Sequence, residues 1–358
     1  MISYFTYSLP FLTPFKTGSS LFKLRKGVIV RYFGVEDSVA EAAPLPGFSS
    51  ESLEDVLSFF TDHSVRINHF LDSSFTVQNA NSFLSDLPKI PSARFAVSML
   101  ALSVLSQRTG CKIQELLKID NTPDRLSVNS VIGTGTETEI YSAVQSAVSD
   151  GFTTIKLKVH SSPHSLAAVL TKAAAQFPGI LFRLDANRSW PFEKLSHYSS
   201  LFKNLPVEYI EEPAHYNGDE ELEKMVQASA LPVALDESVN SPERLLSALK
   251  NHPKTTLVIK PTLFGNFIQL VETISAYRSS FDQIVVTTAL ESAVGRSMVT
   301  EAAFLIGDRS LAHGLNTGRL LAGDLLDNRT PLNGIFSAVD RDFTQLRFDR
   351  LNQTFLKS

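Results

Sequence analysis

Six ionisable residues, Lys156, Lys158, Asp185, Glu211, Asp236 and Lys260, sit at or next to the ends of short β-branched runs. From Lys158 onward they are 27, 26, 25 and 24 residues apart along the chain. That interval is about one strand–helix unit, so the six converge if the strands lie side by side and parallel. Three carboxylates cannot share a small volume unless a cation neutralises them, and a hard divalent ion such as Mg²⁺ prefers carboxylate oxygens. Asp185, Glu211 and Asp236 are therefore the expected ligands, with Asn187, Glu212, Glu237 and Ser238 placed to orient them. Lys156 and Lys158 are two apart on a strand and point to one side. Mutual repulsion near a metal lowers the pKa of one of them enough for it to act as a base. Lys260, four strands on, is expected on the opposite wall. A carboxylate substrate held by a metal between two lysines is arranged for removal of the proton next to that carboxylate. A lone Lys-x-Lys is usually a solvated face, and a lone Asp at a strand end is usually a helix cap. The conjunction at five successive strand ends is what argues for a site.

The elements that would position these groups are legible from about Ser127 onward. Runs at Ser127–Ile132, Thr154–Val159, Leu181–Asp185, Val207–Ile210, Val233–Leu235, Leu257–Ile259 and Ile284–Thr287 alternate with segments of helical periodicity such as Glu137–Val148, Asp219–Ala228, Pro242–Leu249 and Phe267–Tyr277. The pattern predicts an α/β fold, a (β/α)7β TIM-like barrel, with an eighth short strand near Leu311–Leu315. Before it, residues 1–120 read as an α+β capping domain. Strands are expected at Ser3–Phe15 and Gly27–Val35 with a bend at Gly34, then a loop at Pro44, Pro46 and Gly47. Helices are expected from Leu53, and from Pro91 through the apolar stretch Phe95–Leu105. The barrel is assigned to residues 121–325. The tail, 326–358, alternates at Phe336, Val339, Phe343, Leu346 and Phe348 and is expected to return to the capping domain.

Composition removes several function classes. The 358 residues are 43% hydrophobic and 20% charged, with 33 Lys and Arg against 37 Asp and Glu, so a core can be buried and no basic surface for nucleic acid or membrane is indicated. Cys111 is the only cysteine, which excludes an internal disulfide or a cysteine-cluster metal site. Pro10 and Pro14 break the first apolar stretch, and Ala93–Leu105 is shorter than the ~20 residues that span a bilayer. A soluble cytoplasmic protein is expected. Gly133–Thr134–Gly135 lacks the Lys-Ser/Thr of a phosphate loop, Ser292 lacks the first glycine of a nucleophile elbow, and His313 and His160 have no evident partner.

The motifs Lys156-Leu157-Lys158, Arg183-Leu184-Asp185-Ala186-Asn187, Ile210-Glu211-Glu212-Pro213, Leu235-Asp236-Glu237-Ser238 and Ile259-Lys260-Pro261-Thr262 resemble those of the enolase superfamily, muconate-lactonizing-enzyme-like subgroup. Over nearly the whole chain the likeness is greatest to its o-succinylbenzoate synthase family. The resemblance implies Mg²⁺, with Mn²⁺ as a substitute, on Asp185, Glu211 and Asp236. It implies Lys158 as the acid/base and Lys260 as the lysine that steadies an enolate. The implied reaction is syn dehydration of 2-succinyl-6-hydroxy-2,4-cyclohexadiene-1-carboxylate to 2-succinylbenzoate in menaquinone biosynthesis. Lys156, Arg183, Asn187, Glu237, Thr287, Thr288 and Gly314 are expected to bind substrate or support the site, Arg183 either by touching substrate or by filling a barrel layer. The loop Pro44-Leu45-Pro46-Gly47-Phe48-Ser49 resembles the substrate-specificity loop. No His occupies the seventh strand end, unlike mandelate racemases, and the Asp-x-Asp of dipeptide epimerases is absent from Gly314–Thr317. N-acylamino-acid racemase and muconate-type activities use the same machinery. From other classes, a Schiff-base aldolase using Lys260 is opposed by the three carboxylates, and a non-catalytic barrel has no need of all five groups.

Overall fold

Apolar β-branched runs are buried on both faces when strands run parallel under covering helices, and the central sheet is built from such runs. The computed structural model describes residues 1–17, 20–35, 38–120, 122–159, 163–251, 255–326, 331–337 and 351–353. Its strands are β1 (Ile2–Thr17), β2 (Ser20–Tyr32), β3 (Val39–Ala42), β4 (Arg125–Ser127), β5 (Ser130–Ile132), β6 (Thr154–Lys158), β7 (Leu181–Asp185), β8 (Val207–Glu211), β9 (Val233–Leu235), β10 (Thr256–Ile259), β11 (Gln283–Val286), β12 (Ile335–Ser337) and β13 (Leu351–Gln353). Strands β5 to β11 form a seven-stranded parallel sheet in chain order. Helices such as Glu137–Ser149, Pro163–Gln176 and Phe267–Ala276 connect them, and Ala293–Ile306 follows the last. Thr136 and Glu139 form a reciprocal cap that starts the first of these helices.

The sheet's two edges meet through two residues. Gly314 bridges Thr287, just beyond β11, and His313 bridges Val128, just before β5. The eighth strand expected over Leu311–Leu315 is reduced to this pair. A side chain at 314 is excluded, since a Cβ there would lie 2.3 Å from the Thr287 hydroxyl. His313 Nδ1 accepts a hydrogen bond from the Val286 amide at 3.0 Å, and burial, with the nearby Arg183 charge, pushes its pKa down to about 3. It is a neutral structural residue.

The run expected as one strand over Ser127–Ile132 is two. β5 enters the barrel, while β4 pairs antiparallel with β12. Phe336 therefore packs beside β4 and not on the capping sheet. Val339, Phe343, Leu346 and Phe348 lie outside the described residues, as does His160. β13 adds to the other side of β1, giving an antiparallel sheet in the order β13-β1-β2-β3.

Helices Leu53–Asp72, Val77–Asp86 and Pro91–Thr109 follow β3. The last is buried from Phe95 to Leu105 because it contacts β3 and the turn Pro261–Leu263 after β10. Two buried charges lock this layer to the barrel. Glu41 on β3 accepts from the amides of Ser292 at 3.0 Å and Gly295 at 2.8 Å, capping the helix Ala293–Ile306 from the other unit. Arg25 donates to the carbonyls of Ala43 and Pro44 at 2.7 Å each and of Leu290 at 2.9 Å. The loop after residue 44 is thereby fixed over the seventh strand end. No helix of the described residues is long and apolar enough to cross a membrane.

Candidate active site

Parallel register sets the floor of the site. Lys158 pairs with Asp185, Asp185 with Glu211, and Glu211 with Ala234, two residues before Asp236. Residues in register on parallel strands share a face, so these tips point into one volume. One cavity is lined by Lys156, Lys158, Asp185, Glu211, Asp236 and Lys260 together. All six expected groups are brought together.

The two neighbouring lysines differ in their partners. Lys156 Nζ lies 2.7 and 2.8 Å from the two oxygens of Glu211 and 2.9 Å from Asp185 Oδ2. Lys158 Nζ donates to the neutral Asn187 Oδ1 at 2.5 Å and stands 3.7 Å from Asp185 Oδ2. Burial works to lower the Lys156 pKa but is outweighed by Asp185, Glu211 and Asp236, which hold its ammonium well above the ordinary value. The charge of Lys156 is thus set by the three carboxylates that face it. Across the cavity Lys260 is paired with Asp236 and lies 5.5 Å from the centre of the Phe48 ring. Burial opposes its charge, and Asp236, Glu211 and Glu237 raise it nonetheless.

Glu211 is 1% exposed, and burial together with Asp185 and Asp236 lifts it well above the usual carboxylate range. Asp185 is also opposed by burial, but Lys156 and Lys158 bring it below its ordinary value. Among the described residues no group of three His, Cys, Asp or Glu side chains is gathered tightly enough to hold a metal as it stands. The ammonium groups of Lys156 and Lys260 lie against the carboxylate oxygens instead. The donors fit a hard divalent ion by chemistry: they are all oxygen and come from three neighbouring strand ends.

Supporting residues are fixed by strained backbone. Asn187, Arg188 and Glu212 have φ of 43°, 59° and 42°, a region that non-glycine residues rarely enter and that clusters at functional sites. Buried Glu212 accepts from the amides of Asp236 at 3.0 Å and Ser238 at 2.8 Å, and from Arg188 Nε at 2.9 Å. It therefore shapes the turn that presents Asp236. Asn187 Nδ2 donates to Glu237 Oε1 at 3.0 Å, and Glu237 does not line the cavity.

The remaining expected residues divide between cavity lining and scaffold. Arg183 is fully buried below the cavity, bonded to Glu208 at 2.6 Å and the Ala312 carbonyl, with its guanidinium 4.9 Å from the Tyr209 ring centre. It fills a barrel layer and does not reach the cavity. In the capping loop Phe48 lines the cavity, while Gly47 and Ser49 do not. Gly47 makes the turn with φ of 82°, and Ser49 Oγ accepts from the Leu45 amide at 2.8 Å. Thr287, Thr288 and Gly314 do line it, the two hydroxyls each 3.2 Å from the Gly314 carbonyl. Leu45 of the same capping loop lines it too, and Tyr209 and Arg319, which the sequence does not single out, also line it. The alternation that paired Lys156 with Lys158 would have found Tyr209, two residues before Glu211.

A family model described as "Enolase C-terminal domain-like" matches residues 139–327, more than half of the chain. The chain is 26% identical over 310 residues to a protein of Haemophilus influenzae named o-succinylbenzoate synthase, covering 84% of each. It is 27% identical over 285 residues, 70% of this chain, to the chloroplastic protein PHYLLO of Arabidopsis thaliana, spanning only 16% of that longer protein. Among solved structures, a probable mandelate racemase from Alicyclobacillus acidocaldarius aligns with a TM-score of 0.82 at 22% identity, covering 96% of this chain and 92% of that one. The fold, the family match and the named relatives agree: this chain is an enzyme of the enolase superfamily.

Proposed function

We propose that the chain is an o-succinylbenzoate synthase, dehydrating 2-succinyl-6-hydroxy-2,4-cyclohexadiene-1-carboxylate to 2-succinylbenzoate in menaquinone biosynthesis. The observation that carries this reading is the pair Lys158 and Lys260 on facing walls with Asp185, Glu211 and Asp236 between them. The relatives named o-succinylbenzoate synthase support the choice of substrate. Asp185, Glu211 and Asp236 would hold Mg²⁺, which when bound draws electron density from the substrate carboxylate and makes its α-proton acidic. Lys158, hydrogen-bonded to a neutral amide and farther than Lys156 from the Asp185 carboxylate, is the lysine that takes that proton as general base. Lys156, tied to Glu211 and Asp185, orients those carboxylates. Lys260 places a positive charge beside the negative charge that develops on the opposite face. Lys158 then returns the proton to the departing hydroxyl on the same face, and aromatisation drives the step. In this reading residues 1–120 shape the mouth, residues 121–325 carry the chemistry, and the tail from 326 joins the two.

Lysines on both faces also suit a racemase, in which one removes the α-proton of an N-acylamino acid and the other replaces it. Initial rates on the cyclohexadiene substrate, followed in the ultraviolet, and on N-succinyl amino acids, followed by polarimetry, separate the two readings. Faster dehydration is expected. Racemisation alone would discard the synthase assignment and keep the two-lysine chemistry.

A further inference from the structure

We propose that Arg319 recognises the second anionic group of a substrate carrying two carboxylates, a specificity role that rests on the function proposed above. Arg319 lies in the short turn Thr317–Leu320 that follows the Gly314 bridge, and it lines the cavity that holds the three lysines. Those lysines are each within 4 Å of a carboxylate. Arg319 is exposed at the rim and forms no ion pair with a carboxylate of the described residues. Its one hydrogen bond there runs from Nη1 to Ser130 Oγ at 3.2 Å. A guanidinium presents five donors in a planar fork matched to a carboxylate, so most of its capacity is open.

Its position gives the recognition a direction. The carboxylate tips are on β7 and β8 and just after β9, and Lys260 follows β10. Arg319 reaches over the other side of the ring, where Gly314 meets β11 and Ser130 opens β5. Val131, Val258, Val285, Leu290 and Leu320 supply apolar wall in the same cavity. A ligand that satisfies all three zones has a carboxylate at the lysine-and-carboxylate floor, an apolar body, and an anion at the Arg319 rim.

The test is calorimetric titration of the full-length protein with 2-succinylbenzoate and with its methyl ester at the side-chain carboxylate, in the presence of Mg²⁺. For Arg319→Leu, affinity for the diacid is expected to fall about tenfold or more, the size of a lost charge-assisted hydrogen bond. Affinity for the ester is expected to stay within about twofold, as for surface substitutions that remove no contact. Arg319→Lys should recover part of the diacid loss, and KM should rise with kcat little changed. Equal weakening of both ligands, or of neither, overturns the role of Arg319 while leaving the proposed function intact. If the wild-type protein binds neither ligand, the proposed substrate is wrong and the role falls with it.

Discussion

The two halves of the barrel mouth are built differently. At the ends of β6 to β10, charged side chains are buried against one another: Lys156 on Glu211 and Asp185, Lys260 on Asp236, Glu212 under the Asp236 turn. At β11, the eighth position and the loop above them, the lining is neutral or apolar apart from the exposed Arg319, and the Thr287 and Thr288 hydroxyls bond to the Gly314 carbonyl. Burying unpaired charge is costly, so the charges of the first half must be mutually compensated and geometrically fixed. The second half carries no such obligation, and its side chains are free to vary with the shape of what binds. Chemistry is concentrated on one side and recognition on the other.

Substitutions on the chemical side should have the largest effects. Lys158→Ala is expected to lower kcat by about 10³-fold, within the usual range for loss of a general base, with Mg²⁺ affinity by calorimetry unchanged. Retained turnover would move the base elsewhere. Asp236→Asn should weaken Mg²⁺ binding by roughly 10–100-fold, and an unaltered affinity would remove Asp236 from the ligands.

On the recognition side the effects should be smaller. His313 is neutral in the folded protein, with its pKa depressed to about 3, whereas the unfolded chain takes up the proton near pH 6.5. Its contribution to stability is therefore present above about pH 6.5 and is lost as pH falls toward 3, by about 1.4 kcal/mol per pH unit. Urea denaturation at several pH values should show this slope reduced in His313→Gln, and an unchanged slope would deny the linkage. Phe48→Leu removes the ring beside Lys260 and should raise KM several-fold with kcat nearly kept, since a cation–π contact is worth about 0.5–2 kcal/mol. A large fall in kcat instead would place Phe48 on the chemical side.

The same contrast governs what was legible in the sequence. Lys158, Asp185, Glu211, Asp236 and Lys260 stand one strand–helix unit apart, and unusual residue types at a fixed spacing survive as a signal without any knowledge of packing. Arg319 carries no such mark. An arginine in a polar turn becomes cavity lining only when the chain closes. The eighth strand is shorter than the local pattern suggests because its partners are the residues flanking Val128 and Thr287, far away in sequence, and they need only two residues between them. β4 was merged with β5 for a related reason: its partner, β12, lies some 200 residues on. For Arg183 the alternation gives direction and not depth, so substrate contact and a barrel layer stay open in the sequence, and its burial selects the layer.

The central claim, a carboxylate-and-lysine site that works through a bound divalent ion, is tested most directly by following conversion of the cyclohexadiene carboxylate in the ultraviolet with Mg²⁺, after excess EDTA, and after Mg²⁺ is restored. The expected result is rapid turnover that stops with the chelator and returns with the metal. Turnover that continues unchanged in EDTA would contradict it.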